Sequence, residues 1–293
     1  MLFKAYNLFI DSDFDLGFPI AKASPPDISF KKHHIGSVKT VKTNIFRMGI
    51  QAKVFKDHES VVLEWPKIAK FQINGDENIY YQRFTKDDNI FRLFATSEVL
   101  GLILQKKSYF LLHGSAVKIN NEAFIFIGVP GAGKSTTIAA FAKAGYTVLS
   151  DDMTAISFDE SGKATVIPAY PQIKIWEDSV KNLGFDKSKL EPAYEGHNKY
   201  LLKQNEEKFP SKSIPLKEII VLQKPYSKKS NSINAIETPI ELLKYFPLPQ
   251  QTLRGNELRK HFMDSLKIAS HVSFRRINRP KGYSQLLKFI EQF

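Results

Sequence analysis

At 293 residues the chain can bury one large core or two modest ones. It has no cysteine, which excludes a disulfide framework, thiolate metal sites and a cysteine nucleophile. The formal net charge of +12 suits an anionic partner, but the lysines are scattered and no recognition helix or zinc spacing accompanies them, so nucleic acid is not the expected partner. No apolar run reaches the length of a membrane span, and the start of the chain, soon followed by Asp11, Asp13 and Asp15, does not read as a signal peptide. A soluble, cytoplasmic protein is expected.

Residues 1–105 read as a β-rich N-terminal domain. Short alternating runs recur at 38–41, 51–55, 60–65, 69–73 and 78–81, separated by turn signals such as Lys56-Asp57-His58 and Asn74-Gly75-Asp76. Four to six antiparallel strands are expected there. The paired His33-His34 carries no metal reading, because adjacent residues on a strand point to opposite faces. Residues 90–104 have helical spacing and are expected to form one connecting helix.

The second domain is expected over 106–293. Residues 110–119 read as a strand that turns at Asn120-Asn121 into a second apolar strand at 123–127. Then comes Gly128-Val129-Pro130-Gly131-Ala132-Gly133-Lys134-Ser135, which fits the phosphate-loop pattern G-x-x-x-x-G-K-[ST], followed by helical residues 135–143 with Gly145 to end them. Strand, glycine loop and helix in that order aim backbone N–H groups and a helix N-terminus at a phosphate chain. Gly128, Pro130, Gly131, Ala132, Gly133, Lys134, Ser135 and Thr136 are therefore the candidate nucleotide contacts. Lys134 is placed to reach the terminal phosphates and the Ser135 hydroxyl to ligate Mg²⁺. Residues 146–150 form a further strand that ends in Asp151-Asp152. A right-handed crossover makes this strand parallel to the one before the loop, which brings both Asp residues beside it. They can hold Mg²⁺ or accept a proton from an attacking hydroxyl, with Asp152 grouped with Ser135 on the metal side; the spacing alone does not decide which is the base.

His113-Gly114-Ser115-Ala116-Val117, the 128–135 loop with its helix, Gly145-Tyr146 and Ser150-Asp151-Asp152 together resemble the catalytic domain of HPr kinase/phosphorylase. They resemble still more the HPr-kinase-like serine kinases that modify peptides, lasso-peptide precursors included. The resemblance spans about residues 100–290, with sharp motifs only between 113 and 152. It implies an α/β P-loop kinase domain of the HPr kinase/PEP carboxykinase type, using ATP and Mg²⁺, with His113, Lys134, Asp151 and Asp152 catalytic. The Pro-Gly-Arg-Asn segment of true HPr kinase/phosphorylases is missing, and Lys174-Ile175-Trp176-Glu177 is a poor counterpart of their Glu-Ile-Arg-Gly strand. Both departures argue against HPr recognition and phosphorylase activity while sparing the kinase core.

Downstream, residues 185–213 read as a long polar loop, a lid or substrate element, with Lys199 a candidate phosphate contact. A strand at 217–222, a helix at 257–269, a strand at 272–274 and a closing helix at 283–293 follow. The basic cluster Arg275, Arg276, Arg279 and Lys281, with Arg254, Arg259 and Lys260 upstream, is a solvated face or a dock for phosphates or an acidic peptide. The leading expectation is an ATP- and Mg²⁺-dependent kinase acting on a serine hydroxyl of a peptide or small protein, as a monomer or homo-oligomer. The alternatives are an HPr(Ser) kinase/phosphorylase, a small-molecule kinase with a PEP-carboxykinase-like core, and a nucleotide-dependent regulatory protein without catalysis.

Overall fold

The computed structural model describes residues 1–57, 60–193, 198–227 and 233–293. His58 of the expected Lys56-Asp57-His58 turn, and Tyr194 to His197 of the polar segment, lie outside the described residues. The architecture is mixed α/β with several sheets, and the described chain forms two compact units. One comprises residues 1–111 and 247–260, the other 112–193, 198–246 and 261–293.

The first unit is built on one eight-stranded sheet. Its strands are β1 (Leu2–Ala5), β2 (Leu8–Asp11), β3 (Ile28–Lys32), β4 (Val41–Arg47), β5 (Ile50–Lys56), β6 (Ser60–Trp65), β7 (Ala69–Asn74) and β8 (Asn78–Arg83). They lie in the order β1-β2-β3-β8-β7-β6-β5-β4. Eight strands exceed the four to six expected. The surplus comes from β1 to β3, the first two of which are joined without a glycine turn signal. The β1–β2 hairpin turns instead on Tyr6 and Asn7, both with positive φ, as a two-residue hairpin whose twist matches its strands requires. The expected strand at 38–41 begins only at Val41.

Residues 90–104 do not form one helix. They divide into α1 (Asp88–Ala95) and α2 (Glu98–Lys106). The Ser97 hydroxyl donates to the Phe94 carbonyl, an acceptor that helix continuation would have used, while the Thr96 hydroxyl joins the Thr96 N–H on the Arg92 carbonyl. Both helices bury apolar faces on the sheet. Phe91 stacks on Phe71 at 5.7 Å, and Phe94 meets Trp65 edge-on at 5.1 Å.

After β9 (Phe110–Leu112), the second unit follows with β10 (Gly114–Ile119), β11 (Glu122–Ile127), α3 (Lys134–Lys143), β12 (Thr147–Ser150), β13 (Thr154–Phe158) and β14 (Ala164–Ile167). Next are β15 (Gln172–Trp176), α4 (Glu177–Asn182), β16 (Glu191–Pro192), β17 (Lys199–Lys203) and β18 (Ile214–Gln223). The last elements are α5 (Thr238–Leu243), α6 (Asn256–His271), β19 (Ser273–Asn278) and α7 (Tyr283–Ile290). The central sheet runs β12-β10-β11-β18-β14-β13. β18 pairs with β14 only through Ile214 and Pro215, then takes β19 as a parallel neighbour from Glu218 onward. The polar segment 185–213 is not one structureless loop: β16 and β17 join β15 in a small sheet of their own.

Direction within the central sheet positions the site. β11 is antiparallel to β10, and β10 is antiparallel to β12, so β11 and β12 point the same way. β18 and β19 run parallel to β11. Four strand C-termini and the start of β10 therefore share one edge. Against one face of this sheet, α3 and α7 bury a core that includes Phe126, Ile138, Phe141, Val148, Leu222 and Leu286. Phe141 is fully buried and meets the rings of Phe126, Tyr146 and Phe293. Phe141→Ala is expected to lower unfolding stability by about 3–5 kcal/mol, the cost of a large core cavity, measured as a reduced urea midpoint with an unchanged slope.

Candidate active site

The loop between β11 and α3 wraps the start of the helix. Ala132 N–H closes a turn on the Val129 carbonyl at 3.0 Å, and Gly133 takes a left-handed φ of 96° as the residue that caps α3. No side chain caps that helix, and no acidic residue lies in its first turn. Its N-terminal amides and the positive end of its dipole are thus left for an anion. Lys134 lies across the loop, its Nζ donating to the Gly128 carbonyl at 2.7 Å. Burial pulls the Lys134 pKa down, while the charges of Asp152 and Asp151 pull it back up. Ser135 and Thr136 are partly exposed on the same first turn. Of the eight candidate loop residues, Gly128 and Ala132 are buried, Pro130 and Gly131 are exposed, and residues 133–136 are partly exposed at an uncapped helix start.

The two aspartates follow β12 and differ in environment. Asp151 is held from three sides: it accepts from Ser115 Oγ at 2.9 Å, from the Lys174 N–H at 3.0 Å and from the Asp152 N–H at 3.0 Å. Burial and then the like charge of Asp152 push its pKa up to about 6, partly offset by the bond from the Lys174 N–H, the Lys174 charge and the Ser115 hydroxyl. Asp152 is exposed, pairs with Lys174 Nζ at 3.5 Å and has a left-handed φ of 62°, a region Asp tolerates better than most residues. One carboxyl is thus tuned toward neutral pH while its neighbour faces solvent.

His113 breaks the strand expected over 110–119. Its N–H leaves the ladder to donate to the Tyr245 carbonyl at 2.6 Å, which separates β9 from β10. Gly114 follows because a Cβ there would stand 2.7 Å from an Ile127 methyl and 2.9 Å from the Phe126 carbonyl. The His-Gly pair is therefore a strand break under steric demand, and it stands at the same sheet edge as the loop and the aspartates.

Other expected contacts lie elsewhere. Lys199 opens β17 with its ammonium 4.5 Å from the Trp176 ring. Arg275 grips the buried Glu218, and Arg276 pairs with the buried Glu241 at 3.2 Å. These two arginines are counter-ions of buried carboxylates, so neither expected reading, a solvated face or a dock, describes the whole cluster. Arg254, Arg259 and Lys260 belong to the first unit. His33 and His34 are exposed, one ring near Tyr80 and the other near the Gln82 amide. Sequence reading singled out neither Ser115 nor Lys174 as a partner of Asp151. For Ser115 the register was the available signal: it lies two residues after His113, at the head of the strand beside β12.

No protein-family model matches the chain, and no curated protein sequence matches it. Among solved structures, the HPr(Ser) kinase/phosphatase from Coxiella burnetii aligns with 15% identity and a TM-score of 0.20, over 41% of this chain and 69% of that one. An overlap of that quality fixes neither fold nor chemistry, which rest on the residues of the sheet edge. Among the described residues, no helix is long and apolar enough to cross a membrane.

The raised pKa of Asp151 has a consequence for stability. Its neutral form is favoured in the folded chain, so its contribution is fully present below about pH 4 and is lost as pH rises through about 6. Asp151→Asn removes the charge, but its single amide oxygen can serve either the Lys174 N–H or the Ser115 and Asp152 donors, not both sides. In chelator-treated buffer the melting temperature of the variant relative to wild type should therefore rise by a few degrees between pH 4 and pH 7.5, read by calorimetry. A relative melting temperature that stays flat or falls over that range contradicts the assignment.

Proposed function

We propose that the second unit, expected from sequence as a kinase domain over 106–293, is an ATP- and Mg²⁺-dependent phosphotransferase acting on a serine hydroxyl of a peptide or small protein. The observation that carries this reading is the convergence of the uncapped α3 start, Lys134 and the two unlike aspartates on one sheet edge. The first unit is proposed as the peptide-recognising domain.

In this reading the loop N–H groups and Lys134 hold the β and γ phosphates of ATP. The acceptor serine gives its proton to Asp151 as its oxygen bonds to the γ phosphorus and the bond to the β–γ bridging oxygen breaks, leaving ADP. A carboxyl with a pKa of about 6 suits a base working near neutrality. Ser135 and Asp152 supply one hydroxyl and one exposed carboxylate, hard oxygen donors of the kind Mg²⁺ takes when it keeps waters and phosphate oxygens as its other ligands. Bound there, Mg²⁺ offsets phosphate charge. His113, at the head of β10, is assigned to the acceptor side of the same edge.

A polypeptide acceptor is supported by the first unit. Its outer strand β4 exposes Val41 and Phe46, an unusual load of apolar surface for an edge and one suited to a peptide added as a further strand. A ribosomal peptide precursor, of the lasso class or another, fits that mode, and the missing Pro-Gly-Arg-Asn segment turns the reading away from HPr.

Lys134→Ala should leave the melting temperature nearly unchanged and reduce turnover by about 10²-fold or more, because a fixed cation on the terminal phosphates acts most strongly on the transferring group. Coupled measurement of ADP release with a serine-containing precursor peptide checks it, and activity within threefold of wild type removes Lys134 from the mechanism.

The aspartates should fail differently. Asp151→Asn should lose about 10²–10⁴-fold in turnover with ATP affinity nearly intact, whereas Asp152→Asn should weaken the Mg²⁺-dependent part of ATP binding. Titrations of ATP with and without Mg²⁺, alongside mass spectrometry of the peptide, separate the two. Full activity in both variants sinks the assignment.

A further inference from the structure

Resting on the nucleotide reading above, we infer that Arg279 is a second phosphate-binding cation of the site, delivered to the glycine loop from the end of β19. The side chain lies flat over Gly133. A Cβ built on that glycine would stand 2.3 Å from Arg279 Cδ, 2.7 Å from Nε and 2.9 Å from Nη1. The left-handed φ of 96° calls for glycine at 133, and a Cβ there would also push the Arg279 side chain off the loop.

Arg279 is also the uncommitted member of its cluster. Arg275 and Arg276 are spent on Glu218 and Glu241, and the Lys281 ammonium lies 5.8 Å from the Tyr226 ring. Among the described residues Arg279 has no side-chain hydrogen bond or ion pair, and its Nε is buried without an acceptor. A buried guanidinium Nε–H without an acceptor is costly, and an anion in the loop relieves that cost. Nearby cationic charge is not self-defeating there, because Asp151 and Asp152 act on Lys134 from the β12 side.

The backbone fixes the arginine in this place. Its N–H extends the β18–β19 ladder by donating to the Gln223 carbonyl at 3.0 Å, and Asn278 Nδ2 donates to the Ser227 carbonyl at 3.1 Å. Pro280 follows immediately, and α7 then returns to bury Leu286 and Ile290 in the core that α3 shares. A cation held between two anchored elements is set in advance for its ligand, as precise electrostatic contacts require. Its planar fork suits two oxygens of a terminal phosphate, which a lysine cannot copy.

The test uses the full-length chain. Binding of ATP, AMP and inorganic pyrophosphate is measured by calorimetry for wild type, Arg279→Met, Arg279→Lys and Lys134→Ala. Arg279→Met keeps the stem over Gly133 and should weaken ATP and pyrophosphate by about 10–100-fold, the span of one or two charge-assisted bonds, with AMP affinity unchanged. Arg279→Lys should recover only part of the loss, and the Arg279→Met defect should shrink as salt rises. ATP affinity within twofold of wild type in Arg279→Met, while Lys134→Ala still loses binding, overturns the role of Arg279 and leaves the nucleotide reading standing. An equal loss toward ATP and AMP overturns it as well. A wild-type chain that binds neither ATP nor pyrophosphate overturns the nucleotide reading and this inference together.

Discussion

The crossover from β11 through α3 to β12 is the constraint on which the site depends. Because it forces β11 and β12 to run the same way, with β10 antiparallel between them, the end of β11, the end of β12 and the start of β10 all meet at one edge. Residues separated by some forty positions in sequence thereby become neighbours, as Ser115 Oγ and Asp151 Oδ1 do at 2.9 Å. The same edge receives β18 and β19, which is how Arg279, near the end of the chain, reaches a loop that precedes it by almost half the sequence. Parallel strands impose this geometry because their carboxyl ends must lie together, and the crevice beyond those ends is where α/β sheets place ligands.

The charges at this edge are mutually dependent. Asp151 is driven toward its neutral form by burial and by Asp152, while Lys134 is driven toward its neutral form by burial and held charged by the two aspartates. Lys174 acts on both carboxylates, through its N–H to one and its ammonium to the other. Such a cluster sets an ionisable group against burial and a like charge while three donors hold its carboxylate in place.

Much of the site was legible in the sequence because its information is local. The glycine-lysine-serine loop, the apolar run before it and the helical run after it sit within some twenty residues, and the structure places Lys134 across the loop from Gly128. The Asp pair was legible for the same reason, lying at the end of the next strand. The elements misread were those decided by single hydrogen bonds. Thr96 and Ser97 divide a run that is helical throughout by periodicity, and the Tyr245 carbonyl takes the His113 N–H out of a run that reads as one strand. β1 and β2 were missed because the tight hairpin between them turns on Tyr6-Asn7 rather than on glycine.

What the sequence determined by itself is the set of groups available: a glycine-rich loop of the G-x-x-x-x-G-K-[ST] pattern, its lysine, paired carboxylates and no thiol. Those follow from residue types at fixed short spacing, and backbone sterics make that spacing a geometry. Only the tertiary structure decided which charges are free to act. Arg275, Arg276 and Arg279 lie within five residues and look alike in sequence, yet two are spent on buried glutamates while the third is laid over Gly133. Likewise Asp151 and Asp152 are identical neighbours until burial raises the Asp151 pKa, with Ser115 and Lys174 bonded to that carboxylate, while Asp152 faces solvent. Ionisation depends on desolvation and on charges brought close through space, and neither can be read along a chain.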